Sequence, residues 1–113
     1  MCKRRGDRRR LPPLRAIKLR FAPRATNDLS EIALYLHAKS PQAALRVRAA
    51  ILESLQYLLL FPRAGRRQTI EGLRKHVVRR YPYLIYYIVD ETNDEIVVVS
   101  IMHPLREQEF SDA

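Results

Sequence analysis

The feature that most constrains the fold is a pair of strand-like segments in the second half of the chain. Residues 83–89 and 96–102 are dominated by aromatic and β-branched residues, which favour a pleated, half-buried surface. Every residue from 90 to 95 between them is polar or charged, so a β-hairpin is the shortest connection. Residues 73–80 form a third predicted strand that is rich in basic side chains. A sheet with cations on its own strands suggests a small domain that presents a basic face to a large acidic partner.

The first half of the chain begins with a short strand and continues with the periodicity of two helices. Residues 17–21 alternate apolar and basic side chains, which predicts a strand with one buried face. Pro23 suits the first turn of one helix, Pro41 suits the first turn of the next, and Pro62 follows its end. Each predicted helix has one apolar stripe that faces a core. The stripe residues are Leu29, Ile32, Ala33 and Leu36, then Ala44, Val47, Ile51, Leu55 and Leu58.

The predicted order is therefore strand, helix, helix and three strands, with residues 63–68 as a loop. Helices gathered on one face of a sheet give an α+β, two-layer architecture. We expect a β-α-α-β-β-β chain in which a helical hairpin packs on a mainly antiparallel four-stranded sheet. Alternation places Tyr83 and Tyr87 on one face of this sheet and Tyr86 on the other. Core and cross-strand packing is the favoured interpretation of these tyrosines, and base stacking beside cations is the alternative.

The positive charge of the chain is concentrated at its N-terminus. The 113 residues carry a net charge of +9, and residues 1–15 alone hold seven basic residues against one acidic residue. That segment thus supplies +6, and the rest of the chain supplies +3. We predict a basic, disordered arm over residues 1–16 and a single domain over residues 17–110. Because the body is only mildly basic, a domain built to coat nucleic acid is disfavoured.

Several classes of function are unsupported by the composition. The single cysteine, Cys2, permits no internal disulfide, and the three histidines lack the spacing of metal ligands. We expect no metal, no cofactor and no small-molecule substrate. No apolar stretch approaches the roughly 20 residues of a membrane helix, and no signal peptide is recognisable. The expected location is the cytoplasm, without membrane association.

A set of short motifs occurs along about residues 17–110 in a definite order and spacing. The motifs are Phe21-Ala22-Pro23-Arg24-Ala25, Asp28-Leu29 with Ile32, Phe61-Pro62 with Gly65-Arg66, Gly72-Leu73-Arg74, Tyr81-Pro82-Tyr83 with Ile85 and Tyr87, and His103 with Arg106. Together they resemble the ParE branch of the RelE/ParE toxin superfamily. The resemblance implies the fold described above and a toxin of a type II toxin-antitoxin system. It also implies one of two activities. ParE-like members poison DNA gyrase by binding, whereas RelE-like members cleave messenger RNA on the ribosome.

The candidate site residues lie in the basic strand and near the C-terminus. As a target-binding surface we predict Arg74, Arg79, Arg80, His103 and Arg106. If the chain is a nuclease, the catalytic candidates are Arg74, Arg80, His103 and Arg106, which would supply a base and cations for the phosphate. The alternative is that these are polar residues at the rim of the sheet. Residues 108–113 contain no tyrosine or histidine, so the resemblance favours a binding toxin over an enzyme.

The resemblance implies an acidic, partly disordered antitoxin that folds onto the toxin. We predict that it docks on Leu45, Leu52 and Leu59, which lie off the core stripe of the second helix at seven-residue spacing. The alternative is that these leucines widen the core. Three functional hypotheses remain: a gyrase-binding toxin, a ribosome-dependent endoribonuclease acting on mRNA, and an inactive basic interaction module.

Overall fold

The computed structural model describes residues 17–106, in which two helices pack on a five-stranded sheet. The elements are β1 (Lys18–Phe21), α1 (Pro23–Lys39), α2 (Pro41–Leu60), β2 (Arg66–Arg67), β3 (Leu73–Val77), β4 (Leu84–Asp90), β5 (Glu95–Met102) and a 3-10 turn (Pro104–Arg106). The sheet order is β1-β5-β4-β3-β2. Only β1 and β5 among these described strands pair in parallel. The predicted two-layer α+β architecture is confirmed, and the predicted N-terminal arm and residues 107–110 lie outside the described residues.

Two details of the sheet differ from the sequence prediction. The segment predicted as a loop contains β2, whose Arg66 and Arg67 pair with Lys75 and Arg74 of β3. A strand of two residues is too short to show any periodicity, so its partner alone defines it. β3 ends at Val77 instead of continuing to residue 80. The chain there turns back toward β4, with Arg80 in the left-handed region at φ 75°.

One serine makes the corner between the two helices. The backbone N–H of Ser40 donates to the carbonyl of Leu36 and closes α1. The Ser40 hydroxyl then accepts a hydrogen bond from the N–H of Ala43 at 3.2 Å, which caps α2. Pro41 occupies the first turn of α2, where its missing N–H costs nothing. A single residue therefore ends one helix and starts the other, which forces the two into a hairpin.

The sheet buries side chains on both of its faces. The face under the helices holds Ile85 and Tyr87 of β4, packed with Ile51, Leu55 and Leu58 of α2. Tyr83 also packs against this cluster, as the alternation predicted. On the opposite face, a second cluster is formed by Leu73, Leu84, Tyr86 and Met102. The tyrosines of β4 therefore serve two separate cores, which favours the packing interpretation for them.

A carboxylate on α1 fixes the position of the end of β5. The Oδ2 atom of Asp28 accepts hydrogen bonds from the hydroxyl of Ser100 at 2.6 Å and from the N–H of Ile101 at 3.2 Å. These bonds lie beside an irregularity in the β4–β5 register, at the step from Tyr86 to Tyr87. The helix thus supplies partners at a point where the ladder is disrupted, and it holds the strand just before His103. Neither helix within residues 17–106 has the length and apolar character that a membrane crossing requires.

Candidate functional site: the basic end of the sheet

The strand register gathers several predicted site residues at one end of the sheet. Val77 pairs with Leu84, and Leu84 pairs with Met102, so the end of β3, the start of β4 and the end of β5 lie side by side. The loop of residues 78–83 and the turn that follows β5 consequently share this end. Its predicted target-binding residues are Arg79, Arg80 and His103, and we call them the basic end. The backbone of Arg106 lies in the adjoining 3-10 turn.

Arg74 lies away from the basic end. It precedes the last residue of β3 by three positions, roughly 10 Å along the strand. Its Nη1 atom donates hydrogen bonds to the carbonyl oxygens of Gly65 at 2.8 Å and Arg63 at 3.2 Å. These bonds hold the segment between α2 and β2 against the sheet. The structure therefore gives Arg74 a bonding role inside the fold, apart from the other predicted site residues.

Tyr87, on the neighbouring strand β4, also contacts the segment between α2 and β2. Its Oη atom accepts a hydrogen bond from the N–H of Gly65 and donates one to the carbonyl of Pro62, both at 2.8 Å. Burial raises the pKa of the Tyr87 phenol, so the group stays protonated and keeps its donor. Arg74 and Tyr87 together satisfy the carbonyls of Pro62, Arg63 and Gly65. This network anchors a turn that has little regular structure of its own.

His103 packs against the loop at the basic end. Its ring meets the ring of Tyr83 edge-on at a centroid distance of 5.8 Å. Its Nδ1 atom accepts a hydrogen bond from the N–H of Leu105 at 3.2 Å, and the proton of the neutral ring is therefore assigned to Nε2. A groove of about 790 Å³ adjoins it, lined mainly by apolar and aromatic side chains including Ile32, Tyr35 and Tyr81. His103 thus combines a local turn-capping role with a second nitrogen, Nε2, that no hydrogen bond within residues 17–106 engages.

A second histidine contacts the basic end from inside β3. This residue, His76, stacks on Tyr57 of α2 at a centroid distance of 5.7 Å. Both rings line a cavity of about 440 Å³ together with Arg79 and Arg80. Sequence reasoning did not single out Tyr57. No local pattern could have done so, because the two rings belong to elements that meet only in the folded chain.

Comparison with known proteins assigns the family. A family model of the ParE toxin of type II toxin-antitoxin system, parDE, matches residues 19–107. The chain belongs to the ParE toxin family. It is 31% identical over 86 residues to Y4kP, a candidate toxin of Sinorhizobium fredii, covering 76% of this chain and 86% of that protein. The predicted membership of the RelE/ParE superfamily is thereby confirmed, and the chain is a toxin of a toxin-antitoxin system.

Solved structures agree with this assignment. The chromosomal ParDE system of P. aeruginosa contains a chain that matches with a TM-score of 0.66 and 25% identity, covering 78% of this chain and 96% of that chain. A mutant of E. coli RelE, in complex with a peptide of the antitoxin RelB, matches with a TM-score of 0.63 and 21% identity. That match covers 87% of this chain and 94% of the RelE chain. The RelE likeness concerns the fold, while the ParE family membership rests on the sequence.

One predicted catalytic candidate of this ParE-family toxin, Arg74, lies apart from the others in the part of the chain that the structure describes. Cleavage of RNA through its 2′-hydroxyl requires a base, an acid and cations around one phosphate. Arg74 is bonded to the segment after α2, while Arg80 and His103 lie at the basic end. Residues 17–106 also contain no cluster of side chains able to hold a metal ion. Arg74 is therefore separated from Arg80 and His103, while Arg79 and Arg80 are exposed at the surface.

The burial of the stacked histidine predicts that the stability of this ParE-family toxin depends on pH. Burial lowers the pKa of His76, and the titratable groups Glu53, Tyr57, Arg79 and Arg80 line a cavity together with its ring. The unfolded chain therefore binds a proton at a pH where the folded chain does not, and stability falls as the pH decreases through about 6.5. We expect wild type to lose more free energy of unfolding between pH 7.5 and 5.5 than His76→Gln.

Urea unfolding at the two pH values measures this difference. Solvent screening keeps the slope well below the limit of about 1.4 kcal/mol per pH unit for one group. Above pH 7 the His76 contribution should be constant, which provides an internal control. Equal acid sensitivity in wild type and His76→Gln would show that the burial of this imidazole has no energetic consequence.

Proposed function

We propose that this ParE-family toxin inhibits DNA gyrase by binding it, and that a cognate antitoxin neutralises the toxin in the cytoplasm. The observation that carries the proposal is the separation of Arg74 from the basic end. With Arg74 bonded to backbone carbonyls, the remaining described cations are suited to recognition of an acidic surface. Gyrase engaged with DNA offers such a surface. The family membership supports a binding toxin in preference to a nuclease.

The basic end has the properties of a recognition surface. Arg79 and Arg80 are exposed in the loop between β3 and β4. No hydrogen bond or ion pair within residues 17–106 engages either guanidinium. Exposed cations at one end of a domain increase the association rate with an acidic partner and orient the encounter. His103 adds a nitrogen donor at the same end of the sheet.

The surface proposed for the antitoxin lies on the helical hairpin. Leu45 is 65% exposed and Leu52 is 39% exposed, whereas Leu59 is partly buried and packs against the core. A groove of about 700 Å³ runs between α1 and α2, with Leu34 and Leu45 among its lining residues. An amphipathic segment that folds on binding would place apolar anchors there. Leu45 and Leu52 thus remain predicted antitoxin contacts. Leu59 also remains a predicted contact, and part of its side chain packs in the core.

A supercoiling assay with purified gyrase tests the proposal. We expect the full-length toxin to inhibit supercoiling, and the double variant Arg80→Gly/His103→Ala to need at least about 10-fold more protein for the same effect, because two contacts of the basic end are lost. Glycine at position 80 preserves the left-handed backbone while it removes the charge. Lys18→Ala/Arg48→Ala, which removes two exposed cations elsewhere, should inhibit like wild type.

A wild-type toxin that leaves gyrase fully active at large excess, and traps no DNA breaks, refutes the gyrase assignment. A translating extract supplies the opposing test. Cleavage of messenger RNA by the toxin, abolished by Arg80→Gly or His103→Ala, would identify it as a ribosome-dependent endoribonuclease instead. Expression that causes no growth arrest in the absence of antitoxin would leave the inactive interaction module as the remaining hypothesis.

A further inference from the structure

An aromatic row and a polar cavity adjoin each other on the side of the domain where α2 meets β3. The rings of Tyr57 and His76 lie 5.7 Å apart with an angle of 30° between their planes. Tyr57 also contacts Phe61, at 5.1 Å between ring centroids. Tyr57 is 45% exposed and Phe61 is 55% exposed, so this row keeps ring surface open to solvent. Such surface next to a cavity is suited to a flat ligand that extends the stack.

The cavity beside this row carries an excess of cationic side chains. Its volume is about 440 Å³, and it is lined by Glu53, Ser54, Tyr57, His76, Arg79 and Arg80. Arg80 has a left-handed backbone, a conformation that costs an ordinary residue roughly 1–2 kcal/mol. The strained residue is an arginine whose guanidinium has no hydrogen bond or ion pair within residues 17–106. A strained cation without a partner among the described residues is suited to binding an external group.

We propose that this cavity binds a nucleotide unit of a single-stranded nucleic acid, with the base stacked on the Tyr57–His76 pair and adjacent phosphates on Arg79 and Arg80. Stacking of bases on exposed aromatic rings, combined with cations along the backbone, is the general basis of single-strand binding. Bases in a duplex are already stacked on each other and offer no free face to this row. The volume of the cavity also lies in the range of about 300–1,000 Å³ that small-ligand pockets occupy.

Glu53 should determine how the bound strand is oriented in the cavity and which base the site prefers. Its carboxylate repels phosphates, so the backbone of the strand follows the arginine side of the cavity. A carboxylate accepts a hydrogen bond from the exocyclic amine of cytosine, whereas thymine presents a carbonyl oxygen at that position. The site should therefore prefer cytosine to thymine. A surface that attracts nucleic acid through charge alone would show no such preference.

Fluorescence anisotropy with a labelled twelve-nucleotide strand, dC12, tests the proposal on the full-length chain. We expect Tyr57→Ala to weaken binding by roughly 10-fold, in line with the loss of one stacked base, and Tyr57→Phe to bind like wild type. Arg79→Ala/Arg80→Gly should reduce the salt slope of the binding constant by about 1.4, because two phosphate contacts are lost. The dT12 strand should bind more weakly than dC12.

Residues 1–16 contribute the same charge to every variant, so differences between variants report on the cavity. The charge-matched control Lys18→Ala/Arg48→Ala should retain the cytosine preference and the tight binding. The proposal is wrong if Tyr57→Ala binds dC12 like wild type, or if dC12 and dT12 bind equally. It is also wrong if free dCMP competes as well as a strand, since the site would then be a mononucleotide pocket. None of these results depends on whether the toxin inhibits gyrase.

Discussion

Replacement of Gly65 by alanine should lower the free energy of unfolding by about 3 kcal/mol. A Cβ atom built at this position would lie 2.5 Å from the Tyr87 hydroxyl and 2.7 Å from its ring. The tyrosine is buried between the helices and the sheet, so it has little room to move. Any displacement also breaks the hydrogen bonds that its hydroxyl makes with Gly65 and Pro62. The alanine methyl group therefore causes a steric clash and leaves buried polar groups without partners.

Gly72→Ala is the matched control, because it makes the same chemical change at a site with the opposite property. Gly72 has φ 85° but no atom within 4 Å of the position its Cβ would take. Only backbone strain is expected, at a cost of about 1 kcal/mol. Guanidinium unfolding of both variants and of Tyr87→Phe measures the difference. Equal losses for Gly65→Ala and Gly72→Ala would show that the Tyr87 contact does not constrain the fold.

The helices and the long strands could be predicted because their signals are local and repeated. Each helix has an apolar stripe and a proline at its start, and β4 and β5 flank a charged turn. The short strand β2 has no such signal, since its two arginines become a strand only by pairing with β3. The end of β3 at Val77 was equally unpredictable from the sequence. The chain after Val77 turns with Arg80 in the left-handed region, and arginine has no intrinsic preference for that conformation.

The candidate site was predictable in its residue types but not in its geometry. The sequence shows how many cations the second half of the chain carries, yet the direction of each side chain depends on long-range contacts. Arg74 illustrates this limit, because its guanidinium is oriented toward two carbonyls of a segment that precedes β2. The pairing of Tyr57 with His76 is a second case, since α2 and β3 are brought together by the fold alone. Arg74, Arg79, Arg80, His103 and Arg106 all remain predicted target contacts.

Replacement by alanine should have very different effects on stability at two leucines of α2. Leu58 is completely buried in the core between the helices and the sheet, and Leu58→Ala should lower the free energy of unfolding by about 3 kcal/mol or more. Leu45 is 65% exposed, and Leu45→Ala should change stability by no more than about 0.5 kcal/mol. Urea unfolding at 25 °C measures both.

The same two substitutions should affect antitoxin affinity in the reverse order, with the larger loss at Leu45. If Leu45 is an anchor on the helical hairpin, Leu45→Ala should weaken the complex by roughly 5-fold to 10-fold while the toxin stays folded. Leu58→Ala should affect binding only as far as it unfolds the toxin, because its side chain is inaccessible to any partner. Calorimetric titration with the cognate antitoxin at a temperature where both variants are folded separates the two effects. A Leu45→Ala toxin that binds antitoxin like wild type would exclude this leucine from the interface, because a buried anchor cannot be truncated without loss of the apolar area it covers.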